Sequence, residues 1–458
     1  MAERFELVEK AILKMVEDKK YSTLRDILLT MNPADIAGIF NSLDDKRIPL
    51  MFRLLPKELA AETFVEMETE DQELLIRGFS DNELKEVLDE LYVDDAVDII
   101  EEMPANVVRR ILSQADPEMR QSINQILRYP ENSAGAWMTT EYVSLRPGMT
   151  VEEAILRIRR QGVDKETIYT CYVTKDRTLL GIVTVKDLLL AEDDEMLISD
   201  LMETDLISVT THTDQEEVAR IFSKYDFIAL PVVDTENRMV GIVTVDDAID
   251  VMEEEATEDI ELMGGMLPSE DTYLRSTVWE LFKNRIPWLL FLMLSATFTG
   301  MIINSFEDAL AAQVALTAFI PMLMGTGGNS GSQSSVTIIR ALSLDEVKFV
   351  DLPRVVWKEI RTAVLCGLAL AVVCFVKIWL VDRLLFGNPD ITLMVDAVVC
   401  LAMFVTVLLA KTVGAVLPMV AKVMKLDPAV MASPFITSIV DALSLLVYFL
   451  FATMLLGI

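Results

Sequence analysis

Long, nearly uncharged apolar stretches occur only after residue 285. Ile286–Phe306 and Ala309–Ile339 carry no charge, Thr362–Val381 carries only Lys377, Leu393–Val420 only Asp396 and Lys411, and Pro428–Ile458 only Asp441. About 20 apolar residues cross a bilayer core as a helix, and a helix leaves no backbone group unpaired there. The pattern therefore predicts five transmembrane helices within residues 283–458. Ahead of them the periods are shorter. In residues 1–130, Asn32-Pro33, Leu55-Pro56 and Phe79-Ser80 each stand before a run of apolar positions at helical spacing, the grammar of capped amphipathic helices. A small all-helical superhelix is expected for this segment.

Over residues 131–251 the pattern repeats with a period of 60 residues: Leu180-Gly181-Ile182-Val183-Thr184-Val185-Lys186-Asp187 against Val240-Gly241-Ile242-Val243-Thr244-Val245-Asp246-Asp247. Each unit offers an apolar strand (Cys171–Val173 and Leu230–Val233), a turn, a second strand and a helix, after an earlier helix begun by Val151-Glu152-Glu153 or Glu216-Glu217. This α+β unit resembles a tandem pair of CBS modules. The resemblance implies that the Thr-x-x-Asp pairs Thr184/Asp187 and Thr244/Asp247 hold a nucleotide ribose, with Phe227 beside them and ATP as the candidate ligand.

Charge sharpens the division. Residues before Lys283 hold 61 of the 72 carboxylates but 28 of the 40 basic side chains, so essentially all of the formal charge of −32 lies there. A region this acidic repels nucleic acid and attracts cations. Asp246–Glu261 holds nine carboxylates and no Lys or Arg. On a helix Asp247, Asp250 and Glu254 share one face, while Glu255, Glu258 and Asp259 crowd together. Such a helix either is a solvated linker or is neutralised by cations.

A single histidine, His212, and four scattered cysteines speak against His- or thiolate-based metal sites and His-dependent triads. No nucleophile–base pair or phosphate-cradling loop marks an enzyme. The polar N-terminus lacks a signal-peptide core and is expected in the cytoplasm. Lys283 and Arg285, then Arg340, Lys348, Arg354, Lys358 and Arg361, then Lys422 and Lys425 fall in loops on that same side. Positive loops face the cytoplasm, so the expected location is an inner, multi-pass membrane with the C-terminus outside.

Two intramembrane features carry chemistry. In Pro321–Ser335, Gly325, Gly327, Gly328 and Gly331 fall within seven residues, a density that predicts a broken helix. Irregular backbone inside a bilayer is tolerated where it lines a cavity; the alternative is a tight crossing of small residues. Asp441 is a lone carboxylate in a long apolar run, expensive to bury. It either binds a neighbouring helix or faces a hydrated cation, and the cation is the stronger reading, with Thr437 one turn earlier. Asp396 and Lys411, nearer helix ends, are expected to snorkel.

Oxygen ligands suit Mg²⁺, Ca²⁺ or Mn²⁺. Mg²⁺ keeps its waters and needs only one or two carboxylates. An odd number of helices favours a pore on the two-fold axis of a homodimer. A CBS-regulated anion transporter would need basic groups or helix N-termini at the midplane, and a Mg²⁺ sensor without transport leaves the glycine-rich segment unexplained.

Taken with the CBS pair, the segments PMLMGTGGNSGSQSS, DPAVMASPFITSIVDA and TVDDAIDVMEEEATEDI resemble the MgtE family of Mg²⁺ channels and transporters over essentially the whole chain. The resemblance implies a homodimer with the pore between subunits, Asp441 as its carboxylate, Thr437 contributing its carbonyl, Asn329 and the glycines on the pore wall, and Asp427 at the cytoplasmic mouth. It also implies regulatory Mg²⁺ held by Glu62, Asp94, Asp98, Glu216, Asp247, Asp250, Glu255, Glu258 and Asp259. The segment 252–282 would then be a connecting plug helix leading into the transmembrane domain.

Overall fold

A computed structural model describes residues 2–269, 273, 276–385, 391–431 and 433–457. It divides into two compact units, Met1–Met252 and Glu253–Ile458.

The first unit opens with ten helices, from α1 (Ala2–Glu17) to α10 (Pro117–Ile126). Side-chain caps set several of their starts, as the sequence predicts. The Asn32 side chain accepts the Ala34 N–H, and Ser80 and Glu83 form a reciprocal capping box. The helix Lys57–Val65, by contrast, starts at Pro56 with no side-chain cap. Their apolar faces close on one core containing Leu24, Ile36, Phe40 and a triangle of rings, Phe52, Phe64 and Phe79, with centroids 5.3–6.3 Å apart.

Two three-stranded sheets of identical plan follow. β1 (Tyr142–Leu145) lies parallel to β2 (Thr167–Lys175), which pairs antiparallel with β3 (Thr178–Thr184); β4 (Val209–Thr210), β5 (Ala229–Val233) and β6 (Met239–Thr244) repeat the order. The helices α11 (Val151–Gln161), α12 (Val185–Leu189), α13 (Ile198–Leu201) and α14 (Gln215–Tyr225) accompany them. The glycine repeated in the two motifs has a steric reason. A Cβ on Gly241 would stand 2.5 Å from the Thr139 carbonyl oxygen, and one on Gly181 would stand 2.8 Å from that of Glu203. Those two segments bond to Ile242 and Ile182 and extend each sheet by one bridge.

The last helix of the pair, α15, runs Val245–Met263. The expected connecting helix over 252–282 is therefore corrected: it begins inside the second repeat and stops nineteen residues earlier than expected, at Met263. Gly264 and Gly265 wrap the end, with the Met266 N–H on the Glu261 carbonyl at 2.9 Å and Pro268 beyond. Part of that segment, 270–272 and 274–275, lies outside the described residues.

The second unit is built from α16 (Val278–Ser305), α17 (Glu307–Ala312), α18 (Ile320–Ser343), α19 (Leu352–Lys377), α20 (Leu393–Val423) and α21 (Ser433–Leu456). Among the described residues, four segments are long and apolar enough to cross a membrane: Val278–Ser305, Phe349–Leu385, Leu393–Val423 and Pro428–Leu456. The 24-residue α18 has the length, but its glycines and serines make it less apolar. It packs on α20 and α21 all the same.

The predicted break in α18 does not occur; the helix is continuous through Gly325–Ser335. Packing outweighs propensity. Gly331 and Gly414 meet so closely that a Cβ on Gly414 would overlap the Gly331 carbonyl oxygen, and a Cβ on Gly327 would stand 2.7 Å from Thr406 Cγ2. The helix cost of each glycine, about 1 kcal/mol, is offset by backbone approach of a kind typical of membrane helices. Gly414→Ala is accordingly expected to destabilise the second unit by roughly 1–3 kcal/mol, the cost of overpacking. A lowered melting temperature in detergent is the measurement, and an unchanged one contradicts the close crossing.

Candidate ion sites

In the second unit, the exposed face of α18 carries Gly325, Asn329, Gln333 and Thr337 at four-residue intervals. A polar stripe on a membrane helix has no hydrogen-bonding partner in lipid. Beside it, a Cβ on Gly328 would stand 2.9 Å from Thr437 Cγ2 of α21. One turn further on, Asp441 is half-buried and its Oδ1 is enclosed with no hydrogen-bond partner among the described residues. Thr437 itself lies inside the regular helix α21. Its carbonyl, the atom expected to serve an ion, also takes part in the helix hydrogen-bond ladder.

Asp396 and Lys411 do not snorkel; they are 2% and 5% exposed. Lys411 Nζ is 3.4 Å from Ser334 Oγ, which donates to Glu359 at 2.6 Å, so a buried ammonium reaches a carboxylate through one hydroxyl across three helices. Their depth inside the helix packing, not their distance along the sequence from a helix end, decides the outcome.

At the other end of α18, the tip of α15 packs Leu262 against Ile339 and Ala429. Ser343 donates to Asp259 at 3.3 Å. Asp427 accepts from the Ala429 N–H at 2.7 Å. Burial, then the charges of Asp427 and Glu261, push the carboxyl of Glu258 above its ordinary range. Three acidic side chains thus crowd the point where α15, α18 and the turn Pro428–Met431 meet. Glu255 lies on the same stretch of α15.

The first unit holds a second acidic centre. Helix α8 (Val93–Glu102) starts beneath Glu141, which accepts from the Val93 N–H at 3.1 Å and from Thr139 Oγ1 at 3.0 Å. Asp94 is buried and its Oδ1 has no hydrogen-bond partner. Burial, then the charges of Asp247, Asp95, Glu166 and Glu141, hold its carboxyl far above the usual range. Burial leads again for Asp95, raised to about 6, and for Asp247, raised to about 7 with Asp246 and Asp95 adding to the rise. Glu166 reaches about 8 through burial, Asp95 and Asp246. Asp98 keeps one side open to solvent, yet burial of the rest and the charges of Asp247 and Asp95 raise it to about 8. The largest upward influences on these five are burial and other carboxylates. Among the described residues no three carboxylates converge tightly enough to close a coordination shell; they face one another spaced apart.

The structure thus brings together Asp94, Asp98 and Asp247 of the predicted residues. It adds Asp95, Glu166, Glu141 and Asp246, which the sequence spacing did not disclose because they come from the starts of β1 and β2 as well as from α8 and α15. Glu62 is exposed on the helix Lys57–Val65, and it is Glu66, just beyond that helix, whose charge reaches Asp95. Glu216 lies 3.8 Å from Arg220 on its own helix, and Asp250 is exposed on α15.

The two Thr-x-x-Asp pairs fold alike. Thr184 Oγ1 donates to Asp187 Oδ2 at 2.5 Å, and Thr244 Oγ1 donates to Asp247 Oδ2 at 2.5 Å, each opening the helix that follows. Phe227 is half-buried and stacks on Tyr225 with centroids 5.5 Å apart.

Comparison with known proteins covers both units. The family model described as "Divalent cation transporter" matches residues 320–451, "MgtE intracellular N domain" matches 31–132, and "CBS domain" matches 134–194 and 198–254. Magnesium transporter MgtE of Thermus thermophilus is 36% identical over 438 residues, 94% of this chain and 95% of its own. That of Bacillus subtilis is 33% identical over 449 residues, 98% and 97% of the two chains. A solved cytosolic domain of the Mg²⁺ channel MgtE in complex with ATP superposes with a TM-score of 0.51 at 37% identity, covering 53% of this chain and 99% of that one.

Proposed function

We infer, for a chain that belongs to the MgtE family of magnesium transporters, that Mg²⁺ crosses the membrane along a path between two copies of it. The chain is thus a membrane transporter and not an enzyme. The observation that carries the pore is the enclosed, unpartnered oxygen of Asp441 beside the polar stripe of α18. In a single copy that stripe would meet lipid. Against a second copy, Asn329, Gln333 and Asp441 would enclose a hydrated cation, and Asp427 would stand at the cytoplasmic mouth. This arrangement counts α18 as a fifth membrane helix and leaves the C-terminus outside. Residues 1–130 form the cytoplasmic helical domain, 131–251 the CBS pair, and the part of α15 that ends at Met263 the plug, ahead of the membrane domain 283–458.

Cytoplasmic Mg²⁺ closes the path. Asp94, Asp98 and Asp247, with Asp95 and Glu166, hold one regulatory site. Glu62, Glu216 and Asp250 would add ligands to it once the domains close, while Glu255, Glu258 and Asp259 bind ions at the end of the plug. Without Mg²⁺ these like charges repel and the closed arrangement is sparsely populated; with Mg²⁺ it is favoured. An adenine nucleotide at Thr184, Asp187, Phe227, Thr244 and Asp247 is supported by the relative's ATP complex.

Proteoliposomes reconstituted with the full chain are expected to take up Mg²⁺ in preference to Ca²⁺, Mn²⁺ and chloride, with uptake falling as Mg²⁺ on the cytoplasmic face rises. In a cysteine-free background, Asn329→Cys is expected to cross-link two copies and Leu365→Cys is not. Uptake without cation preference, or no cross-link at Asn329, overturns the reading.

A further inference from the structure

At the cytoplasmic end of the second unit a cleft of about 230 Å³ opens between the α18–α19 connection and the last turn of α20. Leu342, Val347, Phe349 and Met419 form its apolar wall, and Lys348 and Lys422 stand on it. Both ammonium groups are held in place. Lys422 Nζ donates to the Leu342 carbonyl at 2.9 Å, and Lys348 Nζ pairs with Asp345 at 3.0 Å. Among the residues lining the cleft one carboxylate, Asp345, stands with two ammonium groups, and the nearby Asp351 is paired with Arg354 at 3.1 Å.

The surroundings are unusual for a soluble surface. Val350 is 88% exposed, Trp357 60% and Met424 65%, alongside Arg354 and Lys425. Exposed apolar and aromatic side chains interleaved with Lys and Arg mark the level where membrane gives way to water. The sequence sets the same level independently, since the uncharged run of α18 ends at Arg340 and the apolar run of α20 at Lys422.

We propose that this cleft binds the headgroup of an anionic glycerophospholipid from the cytoplasmic leaflet, with the phosphodiester between Lys348 and Lys422 and the acyl chains along Phe349 and Val350. A phosphodiester accepts from both ammonium groups, and basic pockets between helices on this side of a membrane suit such lipids. The bound lipid ties the α18–α19 turn to the end of α20, two segments otherwise joined there by the Lys422–Leu342 hydrogen bond and by packing around Met419. The proposal rests on the membrane orientation given above, and not on Asp441.

The test is native mass spectrometry of the detergent-solubilised full chain, titrated with phosphatidylglycerol or phosphatidylcholine of equal chain length. The chain is expected to retain phosphatidylglycerol preferentially, and K348Q/K422Q to lose about thirtyfold in that preference, as two lysines near a surface account for. An equal preference in both proteins places the lipid elsewhere and overturns the site. If inorganic phosphate displaces the lipid and raises the melting temperature equally, the cleft is a free-anion site and the lipid assignment fails. Should the double variant misfold, a photoactivatable phosphatidylglycerol on the wild type decides: labelling of peptides 342–350 and 419–423 supports the site, and labelling confined to other peptides rejects it. Asp441→Asn should keep the lipid preference while losing uptake, which separates this inference from the transport reading.

Discussion

Asp441→Asn is expected to lower Mg²⁺ uptake tenfold to a hundredfold or more while the transporter still assembles and melts no lower than wild type. The change keeps the shape of the side chain and removes only its charge. A charged partner contributes roughly 1.5–3 kcal/mol to a hydrogen-bonded interaction, a tenfold to hundredfold factor, and for a divalent ion the loss is greater. The carboxyl oxygen that is enclosed without a partner costs stability as a lone charge, so neutralising it relieves the protein. A structural aspartate behaves oppositely, with lower stability and near-normal uptake. Ion flux and melting temperature on the same preparation separate the two, and normal flux in Asp441→Asn would falsify the pore role.

The second large effect concerns the acidic centre of the first unit. Asp95, Asp247, Asp98 and Glu166 titrate at about 6, 7, 8 and 8 in the folded protein, above the ordinary carboxylate value near 4. Folding therefore favours their protonated forms. Without divalent cations, stability is fully present below about pH 4 on this account and is lost as pH rises through 6 to 8. The titrations are shared within the group, so the values belong to the cluster and not to single residues. Mg²⁺ supplies the missing countercharge only once the carboxylates ionise. The cation is thus expected to raise the melting temperature of the protein strongly at pH 8 and hardly at pH 5. Asp98→Asn with Asp247→Asn is expected to flatten both the pH and the Mg²⁺ dependence, and to leave uptake open at high cytoplasmic Mg²⁺. A double variant that still closes normally would remove this centre from the regulation.

Much of this was legible before any coordinates. The 60-residue repeat translated directly into two sheets of one plan, because Gly-Ile-Val-Thr encodes both a strand and the backbone clearance beside it. Asp94, Asp98 and Asp247 could be named by resemblance. Their neighbours Glu166 and Glu141 could not, because proximity across β2 and α8 leaves no trace in spacing. The glycines of α18 misled in an instructive way. Propensity treats each as a helix breaker, whereas the deciding contacts, Gly331 with Gly414 and Gly328 with Thr437, come from other helices. Lys411 and Asp396 were misplaced for the same reason, since burial depends on neighbours that a single run of sequence does not contain.

The unbroken course of α18 has a consequence for the ion itself. Each carbonyl from Gly325 to Ser335 lies in an unbroken helix ladder, so on the proposed path the wall would meet an ion mainly with amide and hydroxyl groups. On that path an ion would keep its inner hydration sphere. Discrimination would then act on the size and tenacity of that sphere, which favours the cation that sheds water most reluctantly.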